Sequence, residues 1–130
     1  MEYKATEQGV FDYVVEHLKR QGVASFGKGP DGSLMCLYRG PDGTSCAIGC
    51  LLTDDEVSGI RENETVEKLV ENHKLPRRLN RLGAPFLTSL QSAHDDGYKM
   101  NGGWIEALLN VAYVHDLDDR SVRKWQKEIA

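Results

Sequence analysis

Two nearly identical turn signatures, Gly29-Pro30-Asp31-Gly32-Ser33 and Gly40-Pro41-Asp42-Gly43-Thr44, constrain this chain more than any other feature. Proline presets φ near −65° at the second position of a turn, and glycine accepts positive φ near its end. Each signature therefore reverses the chain. Between them runs Leu34-Met35-Cys36-Leu37-Tyr38-Arg39, a short apolar stretch that reads as a strand. The second turn then leads into Thr44 to Ile48 as the returning strand.

Pairing Arg39 with Thr44 sets Leu37 across from Cys46 and Met35 across from Ile48. That register collects Met35, Leu37, Cys46, Ile48 and Cys50 on one face and Leu34, Cys36 and Tyr38 on the other. A loop one residue longer or shorter exchanges the faces. Residues 23–26 offer a third strand beside the pair.

Helices surround this element. Val10, Phe11, Val14, Val15 and Leu18 form one helical stripe, with Thr6 as N-cap and Gly22 just past the end, so a helix spans 7–21. Thr53-Asp54-Asp55-Glu56 starts a short helix reaching Ile60. Val66, Leu69, Val70 and His73 mark another, which must stop before Pro76. Residues 76–83 form one or two helical turns. Phe86, Leu87, Leu90, Ala93 and His94 make the apolar face of a longer helix. After Asn101-Gly102-Gly103, a further helix carries Trp104, Ile105, Leu108, Leu109, Ala112 and Tyr113. The short connection suits an antiparallel pair. Asp118 or Asp119 starts a last helix that turns Val122, Trp125 and Ile129 inward. The expected fold is α+β: an N-terminal helix, a small antiparallel β-hairpin of two or three strands, and a C-terminal helical group. Residues 1–130 form a single domain.

Composition narrows the function classes. The chain carries a net charge of −4, which weighs against general binding of nucleic acid or anionic membranes. No apolar run is long enough to span a bilayer, and Met1 to Glu7 lacks the apolar segment of a signal peptide. Three cysteines cannot all pair within one chain, which places them as reduced thiols in the cytoplasm.

The candidate sites follow from residue chemistry. Cys46 with His94 and Asp95 would make a thiol nucleophile, base and orienting acid if Cys46 headed a helix. On a strand, however, Cys46 is a buried small hydrophobe. Cys36, Cys46, Cys50 and a histidine make a zinc set on paper. Yet Cys46 and Cys50 lie about 13 Å apart along an extended strand, unless the chain bends sharply at Gly49. No metal and no cofactor are therefore expected. His94 on an apolar face reads as a core histidine, and His115-Asp116 as a helix end. Arg77, Arg78 and Arg81 form the one cationic cluster able to meet phosphates, set against the acidic total. Tyr38 and Leu34 on the hairpin's second face, with Arg39 following Tyr38, are the candidate protein contacts, Tyr38-Arg39 being a pair of residue types that anchor such contacts.

The run Tyr38-Arg39-Gly40-Pro41-Asp42-Gly43, continued through Cys46-Ala47-Ile48-Gly49-Cys50-Leu51-Leu52, resembles a group of small uncharacterised phage and prophage proteins. Those proteins share a YRGPDG-x-x-CAIGCLL block, followed by a Leu-Gln-x-x-His-Asp segment, here Leu90 to Asp95. The resemblance implies a phage origin and, with it, action on a host factor; it implies no chemistry. The sequence thus points to a small cytoplasmic interaction protein without catalysis, binding a protein partner or itself as a homodimer. The alternatives are a cysteine enzyme using Cys46 with His94 and Asp95, and a nucleic-acid binder using Arg77, Arg78 and Arg81.

Overall fold

In the computed structural model, which describes residues 2–99 and 102–129, α1 spans Glu7–Gln21. Met1 and Asn101, which figure in the expectations above, lie outside the described residues. Thr6 caps α1 by accepting from the Gly9 N–H at 3.0 Å, and Gly22 ends it in the left-handed conformation. Its stripe of Val10, Phe11, Val14, Val15 and Leu18 is wholly buried.

The hairpin forms one turn earlier than the sequence suggests. β1 (Phe26–Lys28) pairs antiparallel with β2 (Leu34–Cys36), with Phe26 opposite Cys36 and Lys28 opposite Leu34. The first Gly-Pro-Asp-Gly turn joins them, closed by Gly29 N–H to Ser33 O at 2.8 Å and Gly32 N–H to Gly29 O at 3.0 Å. The partner of β2 begins at Phe26, the last residue of the stretch 23–26 expected as an optional third strand, and runs on to Lys28; residues 23–25 are not strand.

The second turn makes a tight 3₁₀ turn over Pro41–Gly43 and leaves a single bridge, Arg39 to Ser45, where Arg39 with Thr44 was expected. Two residues here have positive φ: Asp42 at 58° and Gly43 at 76°. Instead of a returning strand, Cys46 to Leu52 folds into a buried helical turn. Cys50 N–H reaches Cys46 O at 3.0 Å, and a 3₁₀ turn covers Gly49–Leu51. Burial drives this outcome. Cys46, Ala47, Ile48 and Leu51 are all fully excluded from solvent, and a strand would have sent alternate members outward.

Among the described residues six helices follow: α2 (Asp54–Ser58), α3 (Val66–Glu71), α4 (Arg77–Asn80), α5 (Ala84–Gly97), α6 (Gly103–Val114) and α7 (Arg120–Glu128). The first two are short and depend on caps. Thr53 and Glu56 close a capping box on α2, and Thr65 caps α3. α5 and α6 pack as the expected pair, and α1 and α7 lie against the same core. One buried cluster runs from Val10 to Val122. Ile129, expected inward, is 68% exposed.

Candidate functional site

Three residues of α5 face back toward the two turn regions. Gln91, His94 and Asp95 stand at i, i+3 and i+4, neighbours on one helical face. Gln91 Oε1 accepts from the Ile48 N–H at 3.1 Å, and its Nε2 donates to Asp95 Oδ1 at 2.9 Å. His94 Nδ1 is 2.8 Å from the same Asp95 oxygen, while His94 Nε2 accepts from the Ser25 N–H at 3.0 Å. Because Nε2 faces a donor, the ring's proton sits on Nδ1 and points at Asp95. The imidazole is fully buried and stacks on Trp104, their centroids 5.8 Å apart. These contacts tie α5 to both the approach to β1 and the buried turn.

The cysteine beside His94 and Asp95 is Cys36. Donor atoms of Cys36, His94 and Asp95 lie within 4.8 Å of one another, the one such grouping of three or more metal-ligating residue types among the described residues. Cys36 Sγ points at the backbone oxygen of Asp95, 3.9 Å away. It also lines a cavity of about 330 Å³ with Tyr38, Thr65, Gln91, Ser92 and Asp95.

The geometry withholds two chemistries from this cluster. A base must present a free nitrogen to the thiol, but Nε2 is held by Ser25 and Nδ1 by Asp95. Burial, followed by the nearby Asp95 carboxylate, pushes the Cys36 thiol up to about 12, opposite to the shift that activates a nucleophile. A metal on Nδ1 would require the proton on Nε2, opposing two donors at Ser25. The donor set does not fit a metal in this arrangement.

Cys46, the sequence candidate, is fully buried in the core and stands outside that grouping, although the Gln91 side chain and the Asp95 carboxylate are near enough to influence its thiol. Its sulfur accepts from the Gly49 N–H at 3.2 Å, and burial raises its thiol to about 12. Cys50 donates to Ala47 O at 3.1 Å, and burial raises it as well. The 13 Å separation expected of Cys46 and Cys50 does not hold, since they occupy one helical turn.

Tyr38, expected at the surface, turns inward, while Arg39 stays partly exposed and reaches Asp54 Oδ1 at 3.3 Å. Glu62 spans their backbone, accepting from the Tyr38 N–H at 2.6 Å and the Arg39 N–H at 3.2 Å. Tyr38 is 5% exposed and donates to Glu64 O at 2.6 Å. Arg39 donates to Gly49 O and to Leu52 O, the latter at 2.8 Å, so it caps the buried turn's carbonyls. Leu34 remains outside, 66% exposed.

The arginine cluster is largely committed to the fold. Arg78 grips both Glu56 oxygens at 2.7 Å and donates to Tyr3 Oη and Leu51 O. Arg81 donates to Ala5 O. Arg77 alone of the three has no partner among the described contacts.

A second recess opens on the hairpin side. Gly22, Val23, Ala24, Phe26, Tyr98 and Trp104 line about 470 Å³ without a charged side chain. Val23 is 59% exposed, and Phe26 and Tyr98 are 39% exposed. Phe26, Lys28, Leu34 and Cys36 share one face of the hairpin, as cross-strand partners and alternate residues must. Sequence reasoning missed this recess because it paired the strands across the wrong turn. The apolar residues 23–26 were the available signal.

Comparison with protein-family models, with curated proteins and with solved structures finds no match to this chain.

Proposed function

We propose that this chain is a non-catalytic interaction protein that binds another protein through the hairpin side of the fold. One observation carries the reading. Val23, Phe26, Leu34 and Tyr98 account for four of the seven large hydrophobic residues left exposed among the described residues, and they cluster around the hairpin. Exposed apolar groups gathered around an aromatic recess are what contact surfaces present. The thiols and His94, the groups best suited to catalysis, are engaged within the fold.

No helix among the described residues is long and apolar enough to cross a membrane. The resemblance of the Tyr38 to Leu52 block to phage proteins supports a host protein, met in the cytoplasm, as the partner. Tyr38 and Arg39, whose side chains bond Glu64, Gly49, Leu52 and Asp54, are not part of this contact surface.

Photo-crosslinking tests the reading. A benzoylphenylalanine at Leu34 or Tyr98, in the cell that produces the protein, should give one discrete protein adduct that Val23→Asp erases. The same group at Ser58, exposed on α2, should give none. Equal adducts from all three positions, or none from the hairpin side, would overturn it.

A further inference from the structure

The cavity beside Cys36 shares no residue with the recess on the hairpin side. Its walls come from the end of β2, the start of α3 and one face of α5, and they are tied in place. Tyr38 donates to Glu64 O at 2.6 Å, Gln91 accepts from the Ile48 N–H at 3.1 Å, and α3 packs directly on α5. At about 330 Å³ it falls at the small end of the range for ligand pockets, about 300–1,000 Å³.

The charge in this cavity is one-sided. No lysine, arginine or histidine lines it. Glu64 is answered by Lys74 at 2.9 Å, and Glu67 stands in the first turn of α3, where it answers the helix's own partial positive charge. Asp95 is answered by nothing charged. Gln91 Nε2 and His94 Nδ1 both donate to its Oδ1, and both are neutral groups, since the His94 ring keeps its one proton on Nδ1 while Nε2 accepts from Ser25. Lys99, just past the end of α5, sets its ammonium 5.5 Å from the Tyr98 ring centre and makes no ion pair with Asp95 among the described residues. Asp95 Oδ2 has no hydrogen-bond partner among them either. The carboxylate is thus held in one orientation with its second oxygen uncommitted, on the wall of a cavity already formed, which spares a ligand the cost of ordering its site. Tyr38 and Val66, both nearly fully buried, supply apolar wall.

An anion would be repelled here, and an apolar guest would strip water from Asp95 without replacing it. A primary ammonium brings three donors and the missing charge. We propose that the cavity binds a small primary ammonium, its nitrogen on Asp95 Oδ2 and its alkyl body against Tyr38 and Val66.

An amide NMR titration of the full chain at constant ionic strength tests this with probes of one shape: n-pentylamine, pentan-1-ol and pentanoate. The amine should shift the amides of Thr88, Ser92 and Asp95 along one saturating curve, with a Kd of about 1 mM or below. The alcohol should bind roughly tenfold more weakly, since it lacks the charge-assisted hydrogen bond. Pentanoate should leave these amides unmoved. Asp95→Asn keeps an Oδ1 acceptor for Gln91 and His94 but removes the charge, so it should weaken the amine roughly tenfold and leave the alcohol as it was. Thr88→Leu adds bulk to the wall and leaves the Asp95 contacts intact, so it should weaken amine and alcohol alike, again roughly tenfold. Nα-acetyl-lysine methylamide separates the two sources of such a group. Binding equal to that of pentylamine assigns the cavity to a lysine side chain of a protein, and binding roughly tenfold weaker assigns it to a free amine, both with the ammonium on Asp95. Amine shifts that do not saturate or that spread over the acidic surface, an alcohol or pentanoate that matches the amine, or an Asp95→Asn chain that binds at full strength would overturn the site.

Discussion

Gly49 shows how a single missing side chain sets the architecture of the buried turn. A Cβ there would stand 2.1 Å from the Tyr38 carbonyl oxygen, a backbone atom that cannot move aside. The contact lets the Tyr38–Arg39 backbone press against Gly49, so that the Arg39 guanidinium reaches the carbonyls of Gly49 and Leu52. Gly49→Ala is expected to destabilise the protein by about 3 kcal/mol or more, at the upper end for overpacking; urea denaturation measures it. The sequence marked Gly49 as a possible bend, but side-chain periodicity cannot announce a close backbone approach. The thiols make a second residue-scale prediction. With Cys36 and Cys46 each raised to about 12 by burial, native protein at neutral pH should react with Ellman's reagent far more slowly than the denatured chain. A fast-reacting native thiol would revive the cysteine-enzyme reading.

Among the elements, α2 is too short to persist on propensity alone, and two devices hold it. One is the capping box of Thr53 and Glu56; the other is the two-pronged grip of Arg78 on Glu56. Thr53→Ala should cost about 1 kcal/mol, the usual value of such a cap. The Arg78 hydrogen bonds, with help from the Thr53 N–H and the Arg78 charge, hold the Glu56 carboxyl down to about 2 from its ordinary 4.5. A carboxyl depressed on folding contributes stability fully above its unfolded value and loses it as pH falls through the folded one. The contribution should therefore fade between about pH 4.5 and pH 2. Because the pair is partly solvated, it amounts to about 1 kcal/mol. Denaturation midpoints over that range should fall less steeply for Glu56→Gln than for wild type. The acidic helix start was readable from Thr53 to Glu56. Its tie to Arg78, 22 residues away, was not, because the arginines read equally well as a solvated face. An antiparallel hairpin was legible, but its pairing was not, for a related reason: two equivalent turn signatures compete for one apolar run, and only the burial of Cys46 to Leu52 decides between them.

At the scale of the whole molecule, the polar side chains of α5 join parts that are distant in sequence. Gln91 holds Ile48 and His94 holds Ser25, while Gln8 and Asp118 exchange hydrogen bonds between α1 and the approach to α7. Helical stripes made α1, α5 and α6 legible from sequence, because a 3.6-residue period survives without knowledge of the partner. Side chains that reach across the chain leave no such period. His94 illustrates both halves: its place on the apolar face was readable, its two hydrogen-bond partners were not. If these ties bind one core, the chain should unfold as a single unit. The tryptophans report from separate places, Trp104 against His94 and Trp125 on the last helix. Tryptophan fluorescence and far-ultraviolet circular dichroism should therefore give coincident transitions in urea. His94→Ala removes the acceptor of the buried Ser25 N–H, and an unpaired buried donor costs about 1–3 kcal/mol. That variant should lower the midpoint for both probes together. A midpoint that falls for fluorescence while the helical signal stays in place would mean that α5 is tied to the hairpin without being part of one cooperative core.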